Sequence, residues 1–303
     1  MPPLLPTRPG PNSPSLRLSP ANYFSSAEVA ARYARVRPFY HAEVAERVRG
    51  FAGVERFGRV LDVGCGSGQS SVALAAVAGQ VIAIDPSQSM LDQAPAYPNV
   101  CYRLGCAEEL NAEAGKFDLV SAGSALHWFD QARFYGQCRE VLAEAGLLAV
   151  YNDHFTAHME GSVSCKRWMR TRFAKRFPPP RRGMRDIDLP LASACGFTVA
   201  HQASFSHVVP FTREEFVAYL LTRSNTLAVL ARGEKTEASV GEWLDGELTP
   251  IVPDGTTGKF IFKCNLWVMR IEKSEGRVNG SAQPKKCPDS CPQSVSGPGP
   301  NEG

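Results

Sequence analysis

Val60-Leu61-Asp62-Val63-Gly64-Cys65-Gly66-Ser67-Gly68, followed by Gln69-Ser70-Ser71-Val72-Ala73-Leu74-Ala75-Ala76, decides how this chain folds. A short apolar run stands before the glycines and a run of helix formers follows them, which reads as a buried strand leading into a helix. Glycines at 64, 66 and 68 permit a tight turn and let a ligand approach the backbone closely. Such a bend is informative where a strand enters it and a helix leaves it, as here. The spacing is G-x-G-x-G, and the place where a dinucleotide fingerprint puts its third glycine is Gln69. Asp62, just before the bend, suits a ligand with an ammonium group better than a pyrophosphate. Asp85 ends the next apolar run, and in doubly wound folds an acid there hydrogen-bonds ribose hydroxyls. A ligand with a ribose, an amino-acid moiety and no phosphates is S-adenosylmethionine.

Outward from the bend, strand and helix patterns alternate. AEVAARYARVRPFYHAEVAERVRGF is helical and interrupted by Pro38; GRVLDVG is a strand; QSSVALAAVAG is a helix closed by Gly79. QVIAIDPS is a second strand, QSMLDQAP a helix, VCYRLGCA a third strand and KFDLVSAGSAL a fourth. FYGQCREVLAEAG is a helix and GLLAVYND a fifth strand. Short apolar strands alternating with helices imply βαβ units and a parallel sheet covered on both faces. After about residue 151 the rhythm breaks. Residues 152–190 are helix-forming and Arg-rich and read as a helical lid insertion. GFTVAHQASFSHVVPF then reads as a strand, REEFVAYLLTRSNTLAVL as one amphipathic helix, and KFIFKCNLWVMRIEK as the final strand. The expected fold is α/β, a doubly wound, seven-stranded, mostly parallel sheet whose last strand is antiparallel. Residues 1–20, with seven prolines, and 274–303 cannot bury enough apolar surface to offset ordering entropy. Both are expected to be disordered tails around a folded unit of about 21–273.

The composition agrees with a folded enzyme-sized unit. At 44% hydrophobic and 21% charged residues, the chain is neither intrinsically disordered nor fibrous. A net charge of +3 does not by itself argue for nucleic acid. The N-terminus lacks the apolar stretch of a signal peptide, and no apolar run approaches the roughly 20 residues of a membrane span. The nine cysteines are odd in number and fall in core-like segments, as reduced thiols do. The expected location is therefore cytoplasmic, with no membrane partner. Cys287 and Cys291 have no second pair or histidine cluster near them, which argues against zinc.

LDVGCGSG, IAIDPSQSML, GCAEEL, FDLVSAGSALHWF and LLAVYN arrive in an order that resembles class I S-adenosylmethionine-dependent methyltransferases, over about residues 21–155. Ala125-Leu126-His127-Trp128-Phe129-Asp130, with Arg37-Pro38-Phe39-Tyr40, is similar to the trans-aconitate methyltransferase-like subgroup. The resemblance implies a Rossmann-like fold and a role for each matching residue. Gly64, Gly66 and Gly68 would pass under the methionine part of S-adenosylmethionine, with Asp62 near its ammonium. Asp85 would take both ribose hydroxyls. Ser87 and Met90 would lie near the adenine, Ala107 and Glu108 at its edge, and Ala122 and Gly123 would close the pocket. Cys106 stands where many relatives carry an acid, which leaves the adenine to the backbone and Glu108.

Other residues admit more than one reading. His127 and Trp128 either face the substrate at the carboxyl edge of the sheet or serve packing and backbone hydrogen bonding. Tyr40 is either a cofactor or substrate contact or a core aromatic. Cys65 reads as a buried thiol. No Pro-Cys step and no Asn/Asp-Pro-Pro-aromatic tetrapeptide occurs, which argues against cytosine-C5 and amino-adenine methylation. The stretch Lys166 to Phe177 interleaves aromatics with basic residues, and Arg181, Arg182 and Arg185 follow. It suggests either an RNA-binding surface, or an amphipathic helix with a solvated basic face, or a carboxylate clamp through Arg170 and Arg172. The helix is the favoured reading because the chain is only weakly basic. A carboxylate acceptor is ionised at neutral pH and needs no base, whereas a phenol benefits from one, for which His127 is the candidate. The expectation is a methyltransferase acting on a small molecule, with carboxylate O-methylation as its reaction. RNA methylation through the basic lid and a catalytically silent cofactor-binding scaffold are the alternatives.

Overall fold

The two apolar runs that flank the glycine bend pair side by side at the centre of the sheet. The computed structural model describes residues 24, 26–110, 115–178 and 187–272. The expected tails, 1–20 and 274–303, lie outside the described residues, as do Arg181, Arg182, Arg185, Cys287 and Cys291. The strands are β1 (Phe57–Val63), β2 (Ala78–Asp85), β3 (Val100–Leu104), β4 (Phe117–Gly123), β5 (Leu142–Met159), β6 (Phe197–Phe211) and β7 (Gly258–Ile271). They form one seven-stranded sheet in the order β3-β2-β1-β4-β5-β7-β6. Neighbours from β3 to β5 are parallel, and β7 runs antiparallel to both β5 and β6. Strand order reverses between β1 and β4, which opens a crevice beyond their carboxyl ends.

Successive residues of β1 supply opposite faces, as the twofold period of a strand requires. Val60 packs with Val81, Leu119 and the helices α2 (His41–Ala52) and α3 (Gln69–Ala76). Leu61 and Val63 pack on the other face with Phe134, Tyr135 and Cys138 of α5 (Gln131–Val141) and Ala192 of α8 (Leu189–Ala194). Pro38 separates α1 (Ala27–Val36) from α2, because it lacks the N–H that a continuous helix needs. Arg37 before it is extended, at φ −73° and ψ 135°.

Three readings of local structure are corrected. Gly79 does not close a helix: α3 ends at Ala76, and Gly79 lies in β2, where an added Cβ would meet the Gly58 carbonyl oxygen at 2.8 Å. The residue is small because two strands approach closely there. Residues 152–159 are not part of a helical insertion; they extend β5, and Phe155 packs against Phe260 and Phe262 of β7. The single amphipathic helix expected after β6 is two, α9 (Arg213–Leu221) and α10 (Ser224–Ala231), broken at Thr222 and Arg223.

The helical part of the insertion is α6 (Val163–Trp168), a π-helical turn (Met169–Phe173) and α7 (Ala174–Arg176). Cys165, Trp168, Met169, Phe173 and Phe177 are buried with Phe216 and Tyr219 of α9 and Leu244 of α11 (Glu237–Leu248). This agrees with the amphipathic-helix reading of the basic stretch. The same core holds an aromatic stack in which the Phe216 and Phe260 ring centroids lie 4.0 Å apart. A capping box starts α9: the Thr212 hydroxyl accepts from the Glu215 N–H, and the Glu215 carboxylate accepts from the Thr212 N–H. Thr212→Ala should lower stability by about 1 kcal/mol in urea denaturation, with the slope unchanged. No helix among the described residues is long and apolar enough to cross a membrane.

Candidate cofactor and acceptor site

A cavity of about 470 Å³ fills the crevice at the carboxyl ends of β1, β2, β4 and β5. Its floor is the bend after β1, where Gly64, Gly66 and Gly68 have φ of 71°, 54° and 79°. A Cβ on Gly64 would sit 2.6 Å from the Ala125 Cβ, and one on Gly66 would sit 3.0 Å from the Met90 Cε. Only glycine keeps that space open at a left-handed backbone.

Asp85 stands at the end of β2 beside the bend. Its Oδ2 accepts from the Gly66 N–H at 2.9 Å and its Oδ1 from the Ser87 N–H at 2.9 Å. Each oxygen engages one backbone donor, which leaves lone pairs for further donors from the cavity. Burial raises the Asp85 carboxyl above its ordinary pKa, opposed by these two hydrogen bonds. Ser87 begins α4 (Gln88–Leu91), accepting from the Met90 N–H and donating to the Phe24 carbonyl at 2.9 Å. Ser87, Met90, Ala107 and Glu108 all line the cavity on this side, as does Cys106. Glu108 also holds the next segment, since its Oε1 accepts from the Asp130 N–H at 2.8 Å. Gly123, Tyr40, His127 and Trp128 line the opposite wall. His127 and Trp128 form a 3-10 turn whose two rings lie 4.9 Å apart.

Asp62, Gly68 and Ala122 lie behind this lining rather than in it. Asp62 is fully buried, and its Oδ2 accepts from Ser70 Oγ at 2.6 Å and Ser71 Oγ at 2.7 Å. Its Oδ1 has no hydrogen-bond partner among the described residues. Burial pushes the Asp62 carboxyl up to about 6, against the pull of the two serines, with Asp85 adding repulsion. The carboxylate therefore ties the start of α3 to the end of β1. Gly68 caps α3, where an added Cβ would lie 2.6 Å from the Tyr102 hydroxyl.

The arginines expected to clamp a carboxylate are elsewhere. The Arg172 Nε donates to Glu247 at 3.0 Å, and Arg170 borders a separate shallow groove with Lys166 and Arg167. None of the described residues of 160–190 lines the main cavity. Arg37 and Arg223 line the cavity, with Tyr33 and Tyr219 beside them. Arg37 donates from Nε to Thr222 Oγ1 at 3.1 Å and from Nη2 to the Thr222 carbonyl at 2.8 Å. Its guanidinium carbon lies 4.5 Å from the Tyr33 ring centroid and 5.3 Å from that of Tyr219. Arg223 lies at the helix break: Nη1 donates to the Tyr219 hydroxyl at 3.4 Å, and Nε is buried without a partner among the described residues. Neither guanidinium has a carboxylate partner among the described residues.

The remaining wall centres on Ser124, a non-glycine residue at φ 52°. Its hydroxyl lies 2.9 Å from the Tyr40 hydroxyl and accepts from the Asp153 N–H at 3.2 Å. The Asp153 Oδ1 lies 2.9 Å from His207 Nε2, and the His207 ring stacks on Tyr40 with centroids 5.8 Å apart. Beside them His41 Nδ1 meets the Tyr151 hydroxyl at 3.1 Å, and burial drops the His41 imidazole to about 3. Arg37, Ser124, Asp153, His207 and Arg223 all escaped the reading of the sequence. One signal was available: Thr222-Arg223-Ser224-Asn225 interrupts an apolar helix with residues that favour helix starts.

The doubly wound sheet with the glycine bend and the acid at the end of β2 has the fold of the Rossmann-like class I methyltransferases. Residues 61–150 match the model of a family described as a methyltransferase domain. Among individual relatives, a Dictyostelium discoideum protein bearing a methyltransferase name is 33% identical over 124 residues, 41% of this chain and 47% of that one. A trans-aconitate 2-methyltransferase of Deinococcus radiodurans is 36% identical over 99 residues, 31% of this chain and 37% of its own. The chain spans about half the length of the curated relatives it matches. A solved type II methyltransferase structure from Anaeromyxobacter dehalogenans shares the fold at a TM-score of 0.62, with 24% identity, 78% of this chain and 98% of that one covered.

Proposed function

We propose that this chain binds S-adenosylmethionine in the cavity and transfers its methyl group to a small acidic molecule. The bound sulfonium supplies an electrophilic methyl carbon. Asp85 fits the ribose hydroxyls because both its oxygens keep lone pairs toward the cavity. Gly64 and Gly66 make room for the methionine chain, and Ser87, Met90, Ala107 and Glu108 border the adenine. Gly123, His127 and Trp128 flank the reacting end. Asp62 and Gly68 hold the bend in shape, and Ala122 supports Gly123 from the core.

The observation that carries the choice of acceptor is the pair Arg37 and Arg223. Two half-buried guanidinium groups open on one cavity, and no carboxylate among the described residues pairs with them. Burying a cation is costly unless it is paired, and a carboxylate of the acceptor would complete the pairing. The acid is either itself methylated, as the sequence suggested, or serves as the handle for methylation elsewhere on the same molecule. The RNA reading loses its main support, because Arg172 is engaged by Glu247 and the basic helix is packed on its own core.

The test is transfer of labelled methyl groups to a panel of small acids, their neutral amides and RNA. Acids should be labelled in preference to amides. Arg37→Ala and Arg223→Ala should each raise the KM for the acid about 10- to 100-fold, as for a lost charged hydrogen bond of about 1.5–3 kcal/mol. Equal use of acids and amides would defeat the reading. Label confined to RNA would restore the alternative, and donor binding without any transfer would favour a scaffold.

A further inference from the structure

We propose that Asp153 is a general base in this cavity, and that the atom methylated is a hydroxyl oxygen of the acidic acceptor rather than its carboxylate. The inference rests on the acidic-acceptor reading above and adds to it which atom reacts.

Asp153 lies two residues beyond Tyr151, the last residue pairing β5 with β4, and lines the cavity at the carboxyl edge of the sheet. Its backbone is tied to Ser124, and its Oδ1 is held by His207. The second carboxylate oxygen makes no hydrogen bond among the described residues. Yet Asp153 lines the cavity with a side chain only 5% exposed. His207 fixes one oxygen, and the residue that carries the other lines the cavity. The partner is held firmly as well. His207 reaches across β7 past Cys264, the small residue in register with Asp153, and its ring lies against Tyr40 and Phe262. The carboxylate is therefore oriented before any ligand arrives.

An oriented carboxylate repels an ionised acceptor carboxylate at the same place, and such an acceptor needs no base. A hydroxyl has the opposite requirements. It carries a proton that must leave, and it donates a hydrogen bond to a carboxylate oxygen. In the step proposed, the hydroxyl oxygen attacks the donor's methyl carbon and an O–C bond forms as the C–S bond breaks. The electron pair stays on sulfur, which departs as a neutral thioether. The hydroxyl proton passes to the second oxygen of Asp153 and from there to solvent. His207 is a positioning residue, and Arg37 and Arg223 hold the acid away from the reacting end.

The experiment uses the full chain, methyl-labelled S-adenosylmethionine, 3- and 4-hydroxybenzoate, and benzoate. The expected product is an alkali-stable methyl ether on a hydroxybenzoate, with benzoate unlabelled. Asp153→Asn should lower kcat about 100- to 10,000-fold with KM little changed and S-adenosylhomocysteine binding intact. His207→Gln should lower kcat about tenfold with KM unchanged, a split that loss of folding would not produce. A readout without turnover uses 4-hydroxy-3-nitrobenzoate with S-adenosylhomocysteine present. Its phenolate band should weaken on binding, because a hydroxyl bonded to the Asp153 carboxylate keeps its proton, and should persist with Asp153→Asn. Alkali-labile label would identify a methyl ester and overturn the assignment while leaving the acidic-acceptor reading intact. So would wild-type kcat in Asp153→Asn, or the same absorbance response in both proteins. Label on neutral phenols in preference to these acids, or on none of the three, would overturn the acidic-acceptor reading and this assignment with it.

Discussion

Asp85→Ala is expected to weaken binding of S-adenosylhomocysteine at least about 100-fold by calorimetry, without unfolding the chain. Two kinds of hydrogen bond disappear together. On the ligand side, a charged acceptor is lost to two ribose hydroxyls, each interaction contributing about 1.5–3 kcal/mol. On the protein side, the Gly66 and Ser87 N–H groups lose the oxygens that orient the bend and the start of α4. Asp85→Asn separates the two, since an amide keeps one oxygen for a backbone donor but turns an NH2 toward the other. Its affinity should fall between those of wild type and Asp85→Ala. Unchanged binding in Asp85→Ala would mean that the cavity is not the nucleoside site.

Asp62→Asn should make the protein more stable at neutral pH, and the gain should vanish in acid. Asp62 is completely buried and its pKa is raised from 3.8 to about 6. A carboxyl whose folded pKa exceeds its unfolded value binds protons more tightly when folded. Its contribution is then fully present below the unfolded value and is lost as pH rises through the folded one. The window runs from about pH 4 to about pH 6, and a shift of about two units corresponds to about 3 kcal/mol. The Asn side chain keeps an oxygen for the Ser70 and Ser71 hydroxyls and never ionises. Urea denaturation of both proteins from pH 3.5 to pH 7.5 gives the measurement, provided unfolding stays two-state. The stability difference, Asp62→Asn minus wild type, should grow by about 3 kcal/mol across that range. A flat difference would mean that Asp62 stays ionised throughout and that something else relieves its unpartnered oxygen.

These two aspartates were legible in the sequence for different reasons. Asp85 ends an apolar run, and a residue at the carboxyl end of a parallel strand has few places to go except the crevice. Asp62 was equally visible, yet its side chain turns inward to two serines of the following helix instead of lining the cavity. Position along a strand places a residue at an edge; it does not say which neighbours compete for its side chain.

The proposed acceptor half was hidden for a related reason. Arg170 and Arg172 stood in the most conspicuous basic run, but their helix turns its aromatic side to a core of its own and Glu247 takes Arg172. Arg37 and Arg223 lie 186 positions apart, and only the break between α9 and α10 brings Thr222 and Arg223 against the turn at Pro38. Asp153 and His207 meet across an intervening strand through a register that no local pattern carries. His127, the base favoured from the sequence, does line the cavity, but in a 3-10 turn against Trp128.

The amino-acid sequence by itself determined the central architecture: a parallel sheet, the bend that enters its first helix and the acid beyond its second strand. Those features are local, written in apolar runs of strand length, in glycines that alone tolerate the backbone angles, and in one residue at a strand end. Only the tertiary structure decided what the cavity is lined with on its far side. Strands β5, β6 and β7 run past the parallel sheet, and the helices packed on them bring distant side chains together. Long-range register and helix packing depend on the whole core closing at once, so no stretch of the chain specifies them alone.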